Sequence, residues 1–297
     1  AQALLARAQR ATGWGWEGVC AMRAHGLQFP FHPLQVLSWV VLSIDVIVFA
    51  VFGIPVLASL AGRVVVAVLF AISVACLVAA GAKATVCDPV DPRVQCSPGK
   101  ISGDLAELVR CPYCNCQVSQ SSHHCKACDK CVEDFDHHCM WLNNCIGRQN
   151  YRAFMGSILS VVAMTGLILG CCLAVLIECA ADDSRLRERS KEIYGGVSKD
   201  LVVAALSCLL IVNLPLWVLD AQLVILHGFL NFQHVTTFEY ILRKKEQLSM
   251  SRQGADGAGG AVPATLPRCL DWIVFSYRRA RSARTIAPAE DGHEAGA

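Results

Sequence analysis

Four long apolar runs set the frame of this chain, at residues 34–60, 64–82, 154–180 and 201–226, each nearly free of charged side chains. About 20 helical residues cross the hydrocarbon core of a bilayer, and a helix satisfies its own backbone polar groups there. The pattern therefore predicts four transmembrane helices. Arg63 stands between the first two runs and leaves room only for a tight hairpin. An even number of spans puts both termini on one side of the membrane.

The polar stretches between the runs give the organisation. An N-terminal arm covers 1–33, helices 1 and 2 cover 34–82, and a cysteine-rich segment follows at 83–153. Helices 3 and 4, with the loop that joins them, cover 154–226, and a C-terminal segment runs over 227–297. Within the last, residues 249–264 are rich in Gly, Ala and Ser and read as a flexible linker. Beyond it Leu266, Leu270, Ile273, Val274 and Tyr277 recur at helical spacing before Arg278, Arg279 and Arg281. That pattern predicts an interfacial amphipathic helix.

Composition supports membrane insertion, with 54% apolar residues and a mean hydropathy of +0.44 over 297 residues. Lys and Arg are counted next, because the cytosolic side of a membrane protein carries their excess. Twenty lie on the side of the termini and the cysteine-rich segment, against six on the other. Both termini and the cysteine-rich segment are thus expected in the cytosol. The net charge is +2, and the middle segment balances eight basic with eight acidic residues, which excludes a nucleic-acid-binding stripe. The sequence begins at Ala1, and no short apolar leader precedes the first run, so targeting is expected to rest on the helices. Inside the runs, Asp45 and Asp220 are costly in hydrocarbon and read as candidates to face the bundle interior, although Asp220, close to the cytosolic end, reads equally as a snorkelling or helix-packing residue. Asn213 and Pro215 are read as a local helix adjustment.

Seventeen cysteines would suggest disulfides in a small secreted chain, but eight fall between Cys111 and Cys145, in a segment expected in a reducing compartment. Cys76, Cys171, Cys172, Cys179 and Cys208 lie in or beside the apolar runs and read as small hydrophobes. The segment itself contains two CxxC pairs, 111/114 and 125/128, together with His123, His124, Cys131, His137, His138 and Cys145. CxxC lets two thiolates reach one ion from a single turn, and two further Cys or His ligands close a tetrahedral zinc site. Eight Cys and four His give twelve candidate ligands, whereas two closed sites use eight. The surplus includes the stretch Asp136-His137-His138-Cys139, where a His can take a thiol proton, an Asp can orient it and a Cys can attack. Spacing alone does not say which His is free.

These residues resemble the DHHC family of protein S-acyltransferases. The family's cysteine-rich signature is matched without a gap through Cys111, Cys114, His124, Cys125, Cys128, Cys131, Asp136, His137, His138, Cys139, Cys145, Asn150 and Phe154. The four spans, the place of the signature between the second and third, and Thr236-Thr237-Phe238-Glu239 after the fourth are also similar to the family, over about 30–245. The resemblance implies an all-α membrane protein with a cytosolic two-zinc domain between helices 2 and 3. It implies one structural zinc on Cys111, Cys114, His124 and Cys131 and a second on Cys125, Cys128, His138 and Cys145. It assigns Cys139 as nucleophile, His137 as base and Asp136 as the orienting carboxylate, with Thr236, Thr237, Glu239 and Asn150 in support. Cys116 and His123 are left without a role and are expected to face solvent.

The activity so implied is palmitoyltransferase chemistry. A long acyl chain passes from acyl-CoA, palmitoyl-CoA above all, through a Cys139 thioester to cysteines of target proteins by a ping-pong route. The expected partners are the lipid bilayer, long-chain acyl-CoA and cysteine-containing proteins at the membrane, with no nucleic acid. Burying a sixteen-carbon tail is worth roughly 10 kcal/mol, which suits a cavity among the helices. One departure stands out: the family's usual Asp-Pro-Gly after the second helix is Asp88-Pro89-Val90-Asp91-Pro92 here. This variant, with the Thr-Thr-Phe-Glu-Tyr stretch, is most similar to the branch found in the endoplasmic reticulum, and the expected location is the endoplasmic reticulum or Golgi. Two other readings use zinc loops of this kind, a membrane adaptor and a membrane-anchored ubiquitin ligase. The spare Asp-His-x-Cys argues against the first, and the ligand spacing against the second.

Overall fold

The computed structural model describes residues 23–94 and 108–254. The interfacial helix expected at 266–281 and the tail to 297 lie outside the described residues, as does the arm before residue 23. Four helices are long and apolar enough to cross a membrane: Pro33–Gly53, Leu60–Val86, Tyr151–Ala181 and Lys199–Phe232. The chain is a mostly helical, multi-pass membrane protein whose cysteine-rich module sits between the second and third spans.

The first span is an α-helix, α1 (Pro33–Val48), that ends in a π-helical turn, Phe49–Gly53. His32 caps it through Nδ1, which accepts from the Leu34 N–H at 3.2 Å, and Pro33 at the first position loses no hydrogen bond. The span stops at Gly53 rather than at residue 60. Ser59 caps the next helix, α2 (Leu60–Val86), by accepting from the Gly62 N–H at 3.0 Å. The hairpin therefore occupies 54–59, and Arg63 belongs to the first turn of α2, where its Nε donates to the Leu57 carbonyl at 2.8 Å and braces the bend. Lys83 lies in the last turn of α2, which runs past residue 82 to Val86 and gains a cation near its carbonyl end.

Three two-stranded antiparallel ladders follow. They pair β1 (Leu108–Arg110) with β2 (Gln117–Ser119), β3 (His123–Cys125) with β4 (Lys130–Val132), and β5 (His137–Cys139) with β6 (Asn144–Ile146). The third span, α3 (Tyr151–Ala181), packs along α2, with Gly156 close to the Ala80 methyl. The loop to the fourth span is itself helical over α4 (Asp183–Tyr194), because Asp182 caps it and Leu186 turns into the core. Arg189 holds Glu178 through both carboxylate oxygens, at 3.1 and 2.6 Å, and Lys199 and Arg187 both pair with Asp183. The fourth span is α5 (Lys199–Phe232).

The chain divides into two compact units, 1–224 and 225–297. In the first, Met164, Ile168, Cys172 and Val175 form a helical stripe on α3 that meets Val202, Leu206 and Leu209 of α5, Leu186 of α4 and the Phe49–Phe70 ring pair. Most of the remaining span surface is apolar and exposed, as at Val36, Val40, Ile44 and Ile47 along α1, and suits lipid contact. The second unit holds the end of α5 and α6 (Thr237–Gly254), with Leu226 and Leu230 packed on Val235 and Tyr240. Helix α6 continues through residues 249–254, where a flexible linker was expected, because Gln and Arg favour helix and the first glycine comes only at Gly254.

Asn213 does more than adjust its helix. Its Nδ2 donates to Asp45 Oδ1 at 3.0 Å and to the Leu209 carbonyl at 3.0 Å, and both side chains are buried. Such interhelical hydrogen bonds in membranes contribute about 0.5–1.7 kcal/mol. A double-mutant cycle of Asp45→Ala and Asn213→Ala, read by unfolding in detergent, is expected to give a coupling of about 1 kcal/mol.

Candidate active site

The cysteine-rich module has little apolar core of its own, so local turns and cross-links must position its side chains. Each CxxC is followed by a residue in the left-handed region, Asn115 (φ 58°) after Cys114 and Asp129 (φ 54°) after Cys128. Asn and Asp tolerate that conformation better than other residues with a Cβ. The Asn115 turn folds the chain back so that the Cys111 N–H donates to the Cys116 carbonyl at 2.9 Å. Cys116 is thereby buried, at 1% exposure, rather than solvent-facing, and His123 is partly buried.

Ladder register then sorts the ligands. His124 faces Cys131 across β3–β4, and His138 faces Cys145 across β5–β6. Successive strand residues point to opposite faces, so Cys125 leaves the side of His124 and joins the other cluster. Two groups result, Cys111, Cys114, His124 and Cys131, and Cys125, Cys128, His138 and Cys145, each with its ligand atoms within 4.8 Å of one another. In a tetrahedral Cys3His zinc site the edges are about 3.8 Å between sulfurs and about 3.6 Å from sulfur to nitrogen. Here Cys114 and Cys131 sulfurs are 3.6 Å apart, and His124 Nδ1 is 3.6 Å from the latter. In the second group Cys128 and Cys145 sulfurs are 3.3 Å apart, and His138 Nδ1 lies 3.3 and 3.6 Å from them. Both donor sets fit zinc, and with four protein ligands each they would hold it in a structural role. His124 also presents Nε2 to Asp129 Oδ1 at 3.3 Å, the outer partner that orients a metal-binding imidazole.

The same alternation separates the two histidines of the Asp-His-His-Cys stretch. With His138 turned to the second cluster, His137 and Cys139 share the opposite face of β5. His137 Nδ1 lies 2.6 Å from Asp136 Oδ2, and its ring meets Phe154 edge to face at 5.2 Å. Burial works against the imidazolium, but hydrogen bonds with Asp136 and Cys139, and their negative charge, outweigh it and push His137 up to about 10. Asp136 is 3% exposed and Cys139 7%, so the pair is shielded from bulk water. Cys139 packs in an apolar cluster with Ala84, Ile146, Phe154 and Ile158, at the end of the helical bundle.

Two amides fix this hairpin to the helices. Asn144, directly across from Cys139, donates through Nδ2 to the carbonyls of Ala84, Thr85 and Cys87 at 3.1, 3.2 and 2.8 Å. Asn150 donates to the carbonyls of Ala84 and Cys145 at 3.1 and 2.9 Å and accepts from the Gly147 N–H at 3.0 Å. Together they satisfy carbonyls that α2 leaves open at its C-terminus.

Sequence reasoning missed the acids and bases that hold the module together. Asp88 pairs with Lys130, a fully buried lysine, at 2.8 Å. Asp91 accepts from the Ser119 N–H and the Ser122 hydroxyl, both at 2.7 Å, and from the Arg93 N–H at 2.8 Å. Burial would raise its carboxyl, but these bonds outweigh it and hold it below the usual range. Glu133 is gripped by Arg93 and Arg148. The variant Asp-Pro segment is thus used twice, and its only visible signal in the sequence was the departure from Asp-Pro-Gly. In the second unit, Thr236 and Glu239 form a capping box, with the Thr236 N–H donating to Glu239 Oε2 at 3.0 Å and the Glu239 N–H to Thr236 Oγ1 at 3.2 Å. Thr237 opens α6 beside them.

Residues 106–244 match the family model described as DHHC palmitoyltransferase. No curated protein matches the chain significantly.

Outer carboxylates tune metal retention by about 10–100-fold. Asp129→Ala is expected to release zinc to a chelator at least about tenfold faster than wild type while the second site keeps its rate. Asp91→Asn, which sets an amide donor against the Ser119 N–H, is expected to lower module stability by about 2 kcal/mol in thermal unfolding at neutral pH.

Proposed function

We propose that the chain, whose residues 106–244 match the DHHC palmitoyltransferase model, is a member of that family and transfers a long acyl chain from acyl-CoA, through a thioester on Cys139, to cysteines of membrane-associated proteins. The observation that carries this reading is the split across β5, which turns His138 to a Cys3His cluster and leaves His137 and Cys139 together beside Asp136. A module that served only as a structural knot would need none of these three.

In the proposed cycle Asp136 fixes the His137 ring through Nδ1, and His137 takes the Cys139 thiol proton. The thiolate attacks the acyl-CoA thioester carbonyl. The CoA thiolate leaves and takes the proton from His137. Having given up that proton, His137 is again a neutral imidazole and serves as base for the second step. It takes the proton of a substrate cysteine, whose thiolate attacks the Cys139 thioester and regenerates the starting pair. The order of events is ping-pong. The two Cys3His sets would hold zinc with four protein ligands each, where it would supply rigidity to the hairpins.

The acyl tail is accommodated among the spans, beginning at the apolar cluster around Cys139. Twenty basic residues against six support a cytosolic module and cytosolic termini, and the likeness of Asp88–Pro92 and Thr236–Tyr240 to the endoplasmic-reticulum branch of the family supports an endomembrane such as the endoplasmic reticulum or Golgi.

Purified, zinc-loaded protein incubated with labelled palmitoyl-CoA is expected to acquire a hydroxylamine-sensitive label that disappears in Cys139→Ala and persists in Cys208→Ala, an exposed span cysteine. His137→Ala is expected to slow labelling by about 10²–10⁴-fold. Label that survives Cys139→Ala, or its absence from wild type, overturns the reading and favours a zinc-dependent adaptor.

A further inference from the structure

The residues just before α1 lie outside the segment that matches the family model, yet they run against the hairpin that carries Cys139. The Arg23 N–H donates to the Cys128 carbonyl at 3.2 Å, and the buried Lys130 ammonium donates to the Ala24 carbonyl at 2.9 Å. The Gly26 N–H donates to the Thr85 carbonyl at 2.8 Å, beside the end of α2 that Asn144 caps. On the other side Asn143 Nδ2 donates to the Gly26 and Pro30 carbonyls at 3.4 and 3.2 Å. Gln35 Nε2, from the first turn of α1, donates to Gly26 at 3.0 Å and to Leu142 at 3.4 Å. Gly26 is the point of closest approach, since a Cβ there would stand 2.0 Å from the Leu142 oxygen and 2.9 Å from Thr85 Cγ2.

We propose that residues 23–31 form a strap that positions the catalytic hairpin, with Gly26 and Asn143 as its central positioning residues. Leu142 and Asn143 belong to the turn 140–143 that joins Cys139 to Asn144, its partner across the ladder. Asn144 fastens one flank of that hairpin to α2, and the strap fastens the turn itself to α1. Asn143 is 5% exposed with φ 53°, so its amide is committed inward by the backbone. Both zinc-binding sets draw their eight ligands from other residues. The strap can therefore be loosened without removing a ligand, a hydrogen bond of Asp136, or His137. What changes is the placement of Cys139 against His137 and the bound thioester, and misplacement by about 1 Å costs about 10²-fold in rate.

The inference rests on the acyl-transfer reading, and the test separates the two. The wild-type chain, Gly26→Val and Asn143→Ala are loaded with zinc in nanodiscs and mixed with excess labelled palmitoyl-CoA in single-turnover acylation. The expected result is full zinc content and full acyl-enzyme amplitude, with a rate constant at saturating acyl-CoA lowered at least about tenfold in Gly26→Val and Asn143→Ala, and an unchanged KM. A merely structural strap would lower amplitude and zinc together and leave the rate constant of the surviving molecules at the wild-type value, and that result overturns the proposal. So does an unchanged rate constant with unchanged amplitude. Should Gly26→Val fail to accumulate, Asn143→Ala, which adds no atoms, carries the same test. No label on wild type removes the acyl-transfer reading, and the strap proposal with it.

Discussion

Three ladders of three residues each cannot stand alone in water, because a short hairpin buries too little apolar surface to offset the chain entropy lost in forming it. Cross-linking by a metal is the substitute that the Cys and His side chains could provide, since two sets of four could each hold an ion. Two Cys3His sets interleave along the chain, so that β3 gives His124 to one and Cys125 to the other, and neither hairpin can shift without disturbing both. Everything chemical in the module follows from this. The strand that must present His138 to a sulfur cluster has no choice but to present His137 and Cys139 to the opposite side.

That side is where the membrane bundle begins. The amides of Asn144 and Asn150 occupy carbonyls at the end of α2, which are open acceptors at the end of any helix. Cys139 is thus registered to the end of a transmembrane helix by short, directional contacts of its neighbours. Around this junction each ion pair has one buried partner, Lys130 against Asp88 and Glu133 against its two more exposed arginines. Breaking one partner of such a pair leaves an uncompensated charge, so these contacts make the module intolerant of partial opening.

Much of the architecture was legible in the sequence because its signals are long or specific. Apolar runs of 19 or more residues announce spans, and an ungapped ligand spacing announces the two sites. Helix ends were misread where a local cap overrode hydropathy, as Ser59 did by drawing Leu60 and Arg63 into α2. Which histidine stays outside the two Cys3His clusters was not legible, since a three-residue strand is too short for alternation to appear as a pattern. Pairs such as Asp88 with Lys130, or Asp45 with Asn213, join residues far apart in the chain, and nothing in local composition points from one to the other. The stretch before α1 had no periodicity to mark it, and its importance lies in backbone carbonyls that carry no sequence signature.

The Asp45–Asn213 bond joins the first membrane helix to the last. During synthesis the first span enters the bilayer well before the fourth exists, and for that interval the Asp45 carboxyl has no Asn213 to meet it. A carboxyl without its partner in hydrocarbon is a mark of an incomplete chain. The pair therefore sets an order on assembly: the carboxyl carried by the first span is met only once the fourth has inserted and docked beside it.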